Sequence, residues 1–120
     1  MKRTFQSQVV GWMRNAFGYG DADDLSMRQL RFMEEALELV QSTGMSRDNV
    51  LFMVDYVFKR PKGSPTQEIG GVMVTLAGMA HALDTDMEQC AKAELQRIER
   101  NVDEIRKRHA AKPRPNGGTV

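Results

Sequence analysis

Glu34, Glu35 and Glu38 crowd into the segment Arg31-Phe32-Met33-Glu34-Glu35-Ala36-Leu37-Glu38-Leu39. Glu35 and Glu38 are three residues apart, and Glu34 and Glu38 are four apart. On a helix both spacings put side chains next to each other on one face. Carboxylates at that density repel one another unless a cation neutralises them. Hard divalent cations such as Mg²⁺ prefer oxygen ligands, so metal binding is the chemistry this pattern offers. A solvated acidic face balanced by Arg28 and Arg31 explains the same residues. Leu37, between Glu34 and Glu38, sets these acids beside the apolar stripe.

Glu68 is a further acidic candidate, in the first turn of a later helix. The helix dipole alone accounts for a carboxylate there, and a ligand facing the first acidic helix is the functional reading. Lys59, Arg60 and Lys62 precede it in a loop, and Lys92 and Arg97 follow further on. Each is a solvated charge or a phosphate contact. Trp12 and Phe32 have the flat rings that stack on a base, but their helical spacing suits a core. His81, in an apolar helix, reads as a packing histidine. Cys90 reads as a small buried or half-buried helix residue, and neither has the partner that nucleophilic catalysis requires. Gly70-Gly71 is too short for a phosphate-binding loop.

The elements that must position these residues are helices. Periodicity and caps predict five. The first runs from about Thr4 to Phe17 and ends at Gly18-Tyr19-Gly20-Asp21. The second runs from about Ser26 to Thr43, with Ser26 and Gln29 as a capping box and Gly44 as the stop. The third starts at Ser46 and ends near Phe58. The fourth opens at Ser64-Pro65-Thr66-Gln67 and reaches Leu83, apolar nearly all round, which suits a central helix or a subunit interface. The fifth, capped by Thr85 and Glu88, extends to about Ala110. No segment alternates like a strand. The expectation is an all-α bundle of about five helices spanning 1–112, with a disordered tail over 113–120.

Bulk composition narrows the class. The chain has 120 residues, 41 % hydrophobic and 28 % charged, the balance of one globular domain. Its net charge of +1 argues against a global attraction to nucleic acid or an anionic membrane. One cysteine excludes an internal disulfide. The start lacks a signal-peptide run, and no apolar stretch is long enough to span a bilayer, so a cytoplasmic location is expected.

Glu34-Glu35-Ala36-Leu37-Glu38-Leu39 resembles the EExxE motif of the all-α NTP pyrophosphohydrolases, the MazG and dCTP pyrophosphatase group. Gln67-Glu68-Ile69-Gly70-Gly71-Val72-Met73 is similar to that family's second motif, ExxD, with Glu68 as its glutamate. The resemblance covers roughly Gln8 to Arg106. It implies a helical bundle assembled as a homodimer or dimer of dimers. It implies attack of water on the α-phosphorus of a nucleoside triphosphate, giving the monophosphate and pyrophosphate. By that resemblance Glu35, Glu38 and Glu68 hold Mg²⁺, with Mn²⁺ as a substitute. Glu34 is a further ligand or orients the attacking water, together with Glu35 in the catalytic role. Arg31, Lys59, Lys92 and Trp12 are the implied substrate contacts. The aspartate of ExxD falls at Gly71, so one ligand is missing, and Asp55 on the third helix or water would fill its place.

Two further readings compete. One is a weakly active or inactive member of the same fold, serving nucleotide binding or oligomerisation. The other is a partner protein for nucleic acid that uses Lys59 to Lys62 and Arg106-Lys107-Arg108, which near-neutral charge disfavours.

Overall fold

The computed structural model describes residues 3–115. Seven helices and no strand occur among the described residues: α1 (Phe5–Phe17), α2 (Tyr19–Ala22), α3 (Leu25–Ser42), α4 (Arg47–Phe58), α5 (Pro65–Ala82), α6 (Met87–Arg100) and α7 (Val102–Ala111). The protein is all-α, as the periodicity predicts. None of these helices is long and apolar enough to cross a membrane. Pro113 to Pro115 carry no helix, and the rest of the expected tail, 116–120, lies outside the described residues.

The chain divides into two units, Met1–Asp24 with Asp84–Val120, and Leu25–Leu83. The first contains α1, α2, α6 and α7. Thr4 caps α1 by accepting from the Ser7 amide at 3.0 Å. Gly18, at φ +82°, ends α1 in a conformation that glycine adopts without strain. The sequence from Gly18 to Asp21 reads as a plain stop, but the chain rewinds at once into the single turn α2. Ala16 and Ala22 are buried, and their small side chains let α1 and α2 lie close.

The last turn of α1 leaves carbonyls that no intrahelical amide can reach. Arg106 of α7 supplies the missing donors: its Nε donates to Ala16 O at 2.8 Å and its Nη2 to Asn15 O at 3.1 Å. One turn later His109, only 7 % exposed, puts Nε2 2.9 Å from Asp21 Oδ2. Its ring lies 4.3 Å from Phe17, which meets Trp12 edge to face at 5.5 Å. These contacts bind α7 to α1 and α2 across some ninety residues of sequence.

The fifth predicted helix is two, α6 and α7, broken at Asn101. The Asn101 side chain donates to Arg97 O at 2.8 Å, offering the backbone a local alternative to helix. Asp86, not Thr85, caps α6 by accepting from the Gln89 amide at 2.8 Å.

In the second unit, α3 begins at Leu25, so Ser26 lies inside its first turn rather than at the cap. Gly44, at φ +92°, stops it as expected. Ser46 caps α4 through the Asn49 amide at 3.1 Å. Ser64 sits at the N-cap of α5, but its side chain caps nothing, and Pro65 alone marks the start. Neither α4 nor α5 has a single buried residue.

Arg14 clamps Asp23 through two bonds of 3.0 and 2.9 Å and holds its carboxyl below the ordinary aspartate range. The stabilisation is therefore full above that range and fades as pH falls below it, and on an exposed pair it is small. Arg14→Gln should return the Asp23 titration, followed by carboxyl NMR, to the ordinary aspartate value. His109→Ala should cost about 1–3 kcal/mol in urea unfolding followed by Trp12 fluorescence, because the hydrogen bond to Asp21 and the contact with Phe17 are both lost. A loss below about 0.5 kcal/mol, the range of ordinary surface changes, would show that the ring does not hold α7.

Candidate functional site

The acidic residues singled out in the sequence belong to the second unit. Helix α3 forms because Leu30, Met33, Leu37 and Val40 recur at helical spacing, and it carries Glu34, Glu35 and Glu38 on adjoining turns. Arg31, one turn earlier, pairs with Glu34 at 3.3 Å and is itself only 18 % exposed at the side chain. That pairing neutralises one carboxylate and occupies the arginine expected at the substrate. Glu34 is half-buried, whereas Glu35 and Glu38 are exposed. Glu38 makes no ion pair among the described residues. Leu37 is 41 % exposed, so these acids border an apolar stripe that is itself open.

Glu68 lies in the first turn of α5, where its backbone amide donates to Ser64 O at 2.9 Å. Its side chain folds back over Gly63: a Cβ added at Gly63 would stand 3.3 Å from Glu68 Cδ. Gly63 therefore makes room for this carboxylate. Asp55, on α4, is exposed. The donor types suit Mg²⁺. Their positions in one chain do not gather: among the described residues no three His, Cys, Asp or Glu side chains stand close enough to share an ion. Gly71, where the resemblance would put an aspartate, has open space around the position of a Cβ.

Lys59 is exposed in the loop after α4. Arg60 beside it stacks on Tyr56, its guanidinium 4.6 Å from the ring centroid. Lys92 and Trp12 belong to the first unit. Trp12 is half-buried and lines a cleft of about 310 Å³ with Arg3, Gln8, Asn15, Glu99 and Val102. Its Nε1 is buried with no acceptor among the described residues. Its place beside Phe17 makes it a packing residue of that unit.

Two side chains differ from expectation. Cys90 and His81 are exposed, His81 in the last turn of α5, where a basic group suits the helix dipole. The buried histidine is His109, which no local pattern marks. Its partner Asp21 is 88 residues away, in what reads as a turn. Arg106 escaped in the same way, as one charge among many on an amphipathic helix.

No family model, no curated protein and no solved structure matches this chain.

Because Glu38 is exposed and makes no ion pair among the described residues, Glu38→Gln should leave the stability in urea within about 0.5 kcal/mol of the parent. Relief of repulsion from Glu34 and Glu35 should make any change favourable. A loss above about 1 kcal/mol would mean that this carboxylate holds the fold rather than faces a ligand.

Proposed function

We propose that this chain is a nucleoside triphosphate pyrophosphohydrolase that works with Mg²⁺, in the manner of the MazG-like enzymes whose EExxE motif it resembles. The observation that carries the reading is the acidic face of α3. There Arg31 pairs with Glu34, and exposed Glu38 follows one turn on with no ion pair among the described residues. Such a face favours a bound cation. In the reaction water oxygen bonds to the α-phosphorus, the bond to the bridging oxygen breaks, and pyrophosphate leaves. Bound Mg²⁺ would supply charge neutralisation to the triphosphate. Glu34 and Glu35 would orient the attacking water and accept its proton. Lys59 and Lys62 would hold phosphate oxygens from the loop before Glu68. The proposal includes a homodimer or dimer of dimers and a cytoplasmic role in clearing nucleotides.

Gly71 and the dispersed carboxylates favour a second reading, a weakly active or inactive helical module of the same kind. The two part in a product assay. Incubated with Mg²⁺ or Mn²⁺ and a panel of ribo- and deoxyribonucleoside triphosphates, the active protein should release monophosphate and pyrophosphate. Glu38→Gln should lower kcat/KM by more than the ~10–100-fold that loss of an outer partner of a metal ligand costs. Gly71→Asp should raise activity, since the space at that position is open. No turnover by either the parent or Gly71→Asp would decide for the module.

A further inference from the structure

The cleft of about 310 Å³ in the first unit lies where the break at Asn101 meets one face of α1. That volume is at the small end of ligand sites, which run ~300–1,000 Å³. Gln8, Gly11, Trp12 and Asn15 recur at spacings of three and four residues, so they share that face. Glu99, in the last turn of α6, and Val102, which opens α7, complete the lining. Arg3 extends over Gly11, its Nη2 3.5 Å from where a Cβ would stand.

The protein itself leaves the polar groups of this lining unused. Among the described residues the side chains of Arg3, Gln8, Asn15 and Glu99 make no hydrogen bond or ion pair. Trp12 Nε1 is buried without an acceptor among them, while its ring packs on Phe17. Nearly every buried N–H in a native protein is satisfied by protein, water or ligand. Arg3 and Glu99 also stand where the helix dipole disfavours them, Arg3 just before α1 and Glu99 at the end of α6. Each is therefore stabilised by a counter-charge brought from outside. The face of α1 is held in advance, because Arg106 bonds the backbone carbonyls of Asn15 and Ala16, and a site fixed beforehand loses less on binding.

We propose that this cleft binds a small zwitterion of the α-amino-acid class. The Arg3 guanidinium takes one carboxylate oxygen, and the other accepts from Trp12 Nε1. Glu99 takes the ammonium. The amides of Gln8 and Asn15, which both donate and accept, meet the remaining polar atoms. A phosphate or a plain carboxylic acid would leave Glu99 without a partner and set a like charge beside it. A plain amine would leave Arg3 and Trp12 unpaired. The carboxylates of α3 belong to the other unit, and neither proposal rests on the other.

The chain has one tryptophan, so its indole N–H gives a single nitrogen–proton NMR signal that reports on the cleft. The full chain is titrated at neutral pH with each of the common L-amino acids, and with acetate and inorganic phosphate. At least one amino acid should shift the Trp12 signal saturably at millimolar concentration. Removing either charge of that amino acid, as the N-acetyl acid or as the amide, should weaken binding about tenfold, the scale of a lost charge-assisted bond. Arg3→Gln and Glu99→Gln should each do the same while leaving unfolding in urea unchanged. No saturable shift with any amino acid overturns the proposal, as does a shift that survives both capped forms or both substitutions. An equal response to acetate or phosphate overturns it too, because the cleft then takes an adventitious anion only.

Discussion

Apolar surface without cover is the constraint on which the second unit depends. A helix in water gains little from its own hydrogen bonds, and most of its stability comes from burying one face. Helix α4, about 18 Å long at 1.5 Å per residue, has no buried residue, and α5 has none either. Leu51 to Phe58 is apolar at every position but Asp55. No rotation of such a helix keeps its apolar side chains on one face, so covering it takes more than one neighbour. That requirement ties the folding of α4 to whatever packs on it.

The first unit solves the same problem with few apolar atoms. Ala16, Ala22 and Leu95 are its buried apolar residues, a small core by any measure. Polar links supplement it. Arg106 closes the end of α1 through carbonyls that would otherwise face water, and a charged donor makes these bonds stronger than neutral ones. His109 joins an aromatic contact to a hydrogen bond in one side chain, so α7 is fixed at two points one turn apart. The break at Asn101 frees α7 to take its own direction, which a single continuous helix would not allow.

Helix identity was legible because it rests on local pattern. Ser46 and Gly44 act as read, since a cap is decided within four residues. The rewinding after Gly18 and the split at Asn101 were not legible. Each turns on one residue whose local hydrogen bonds compete with the helix, and the choice is settled by what packs nearby. The carboxylates of α3 were legible as a face, because three and four residues fix that. Whether Asp55 and Glu68 join them depends on the placing of separate helices, which no spacing encodes. His109 and Asp21 form a pair across 88 residues for the same reason. Cys90 and His81 were read as packed side chains, and both are exposed.

The proposed metal site carries one requirement. A metal ligand works only when held within about half an ångström of its place, and rigid helices packed on neighbours do this better than loops. Glu38 and Glu68 sit on α3 and α5, the helices that flank α4 in sequence. Glu34 already pairs with Arg31, and bringing Glu68 to Glu38 without a cation would add repulsion between carboxylates. Cover on the apolar side and a cation on the acidic side would then act in the same direction. On the proposed reading, the acidic face would become a binding site at the step that covers the unit's apolar helices.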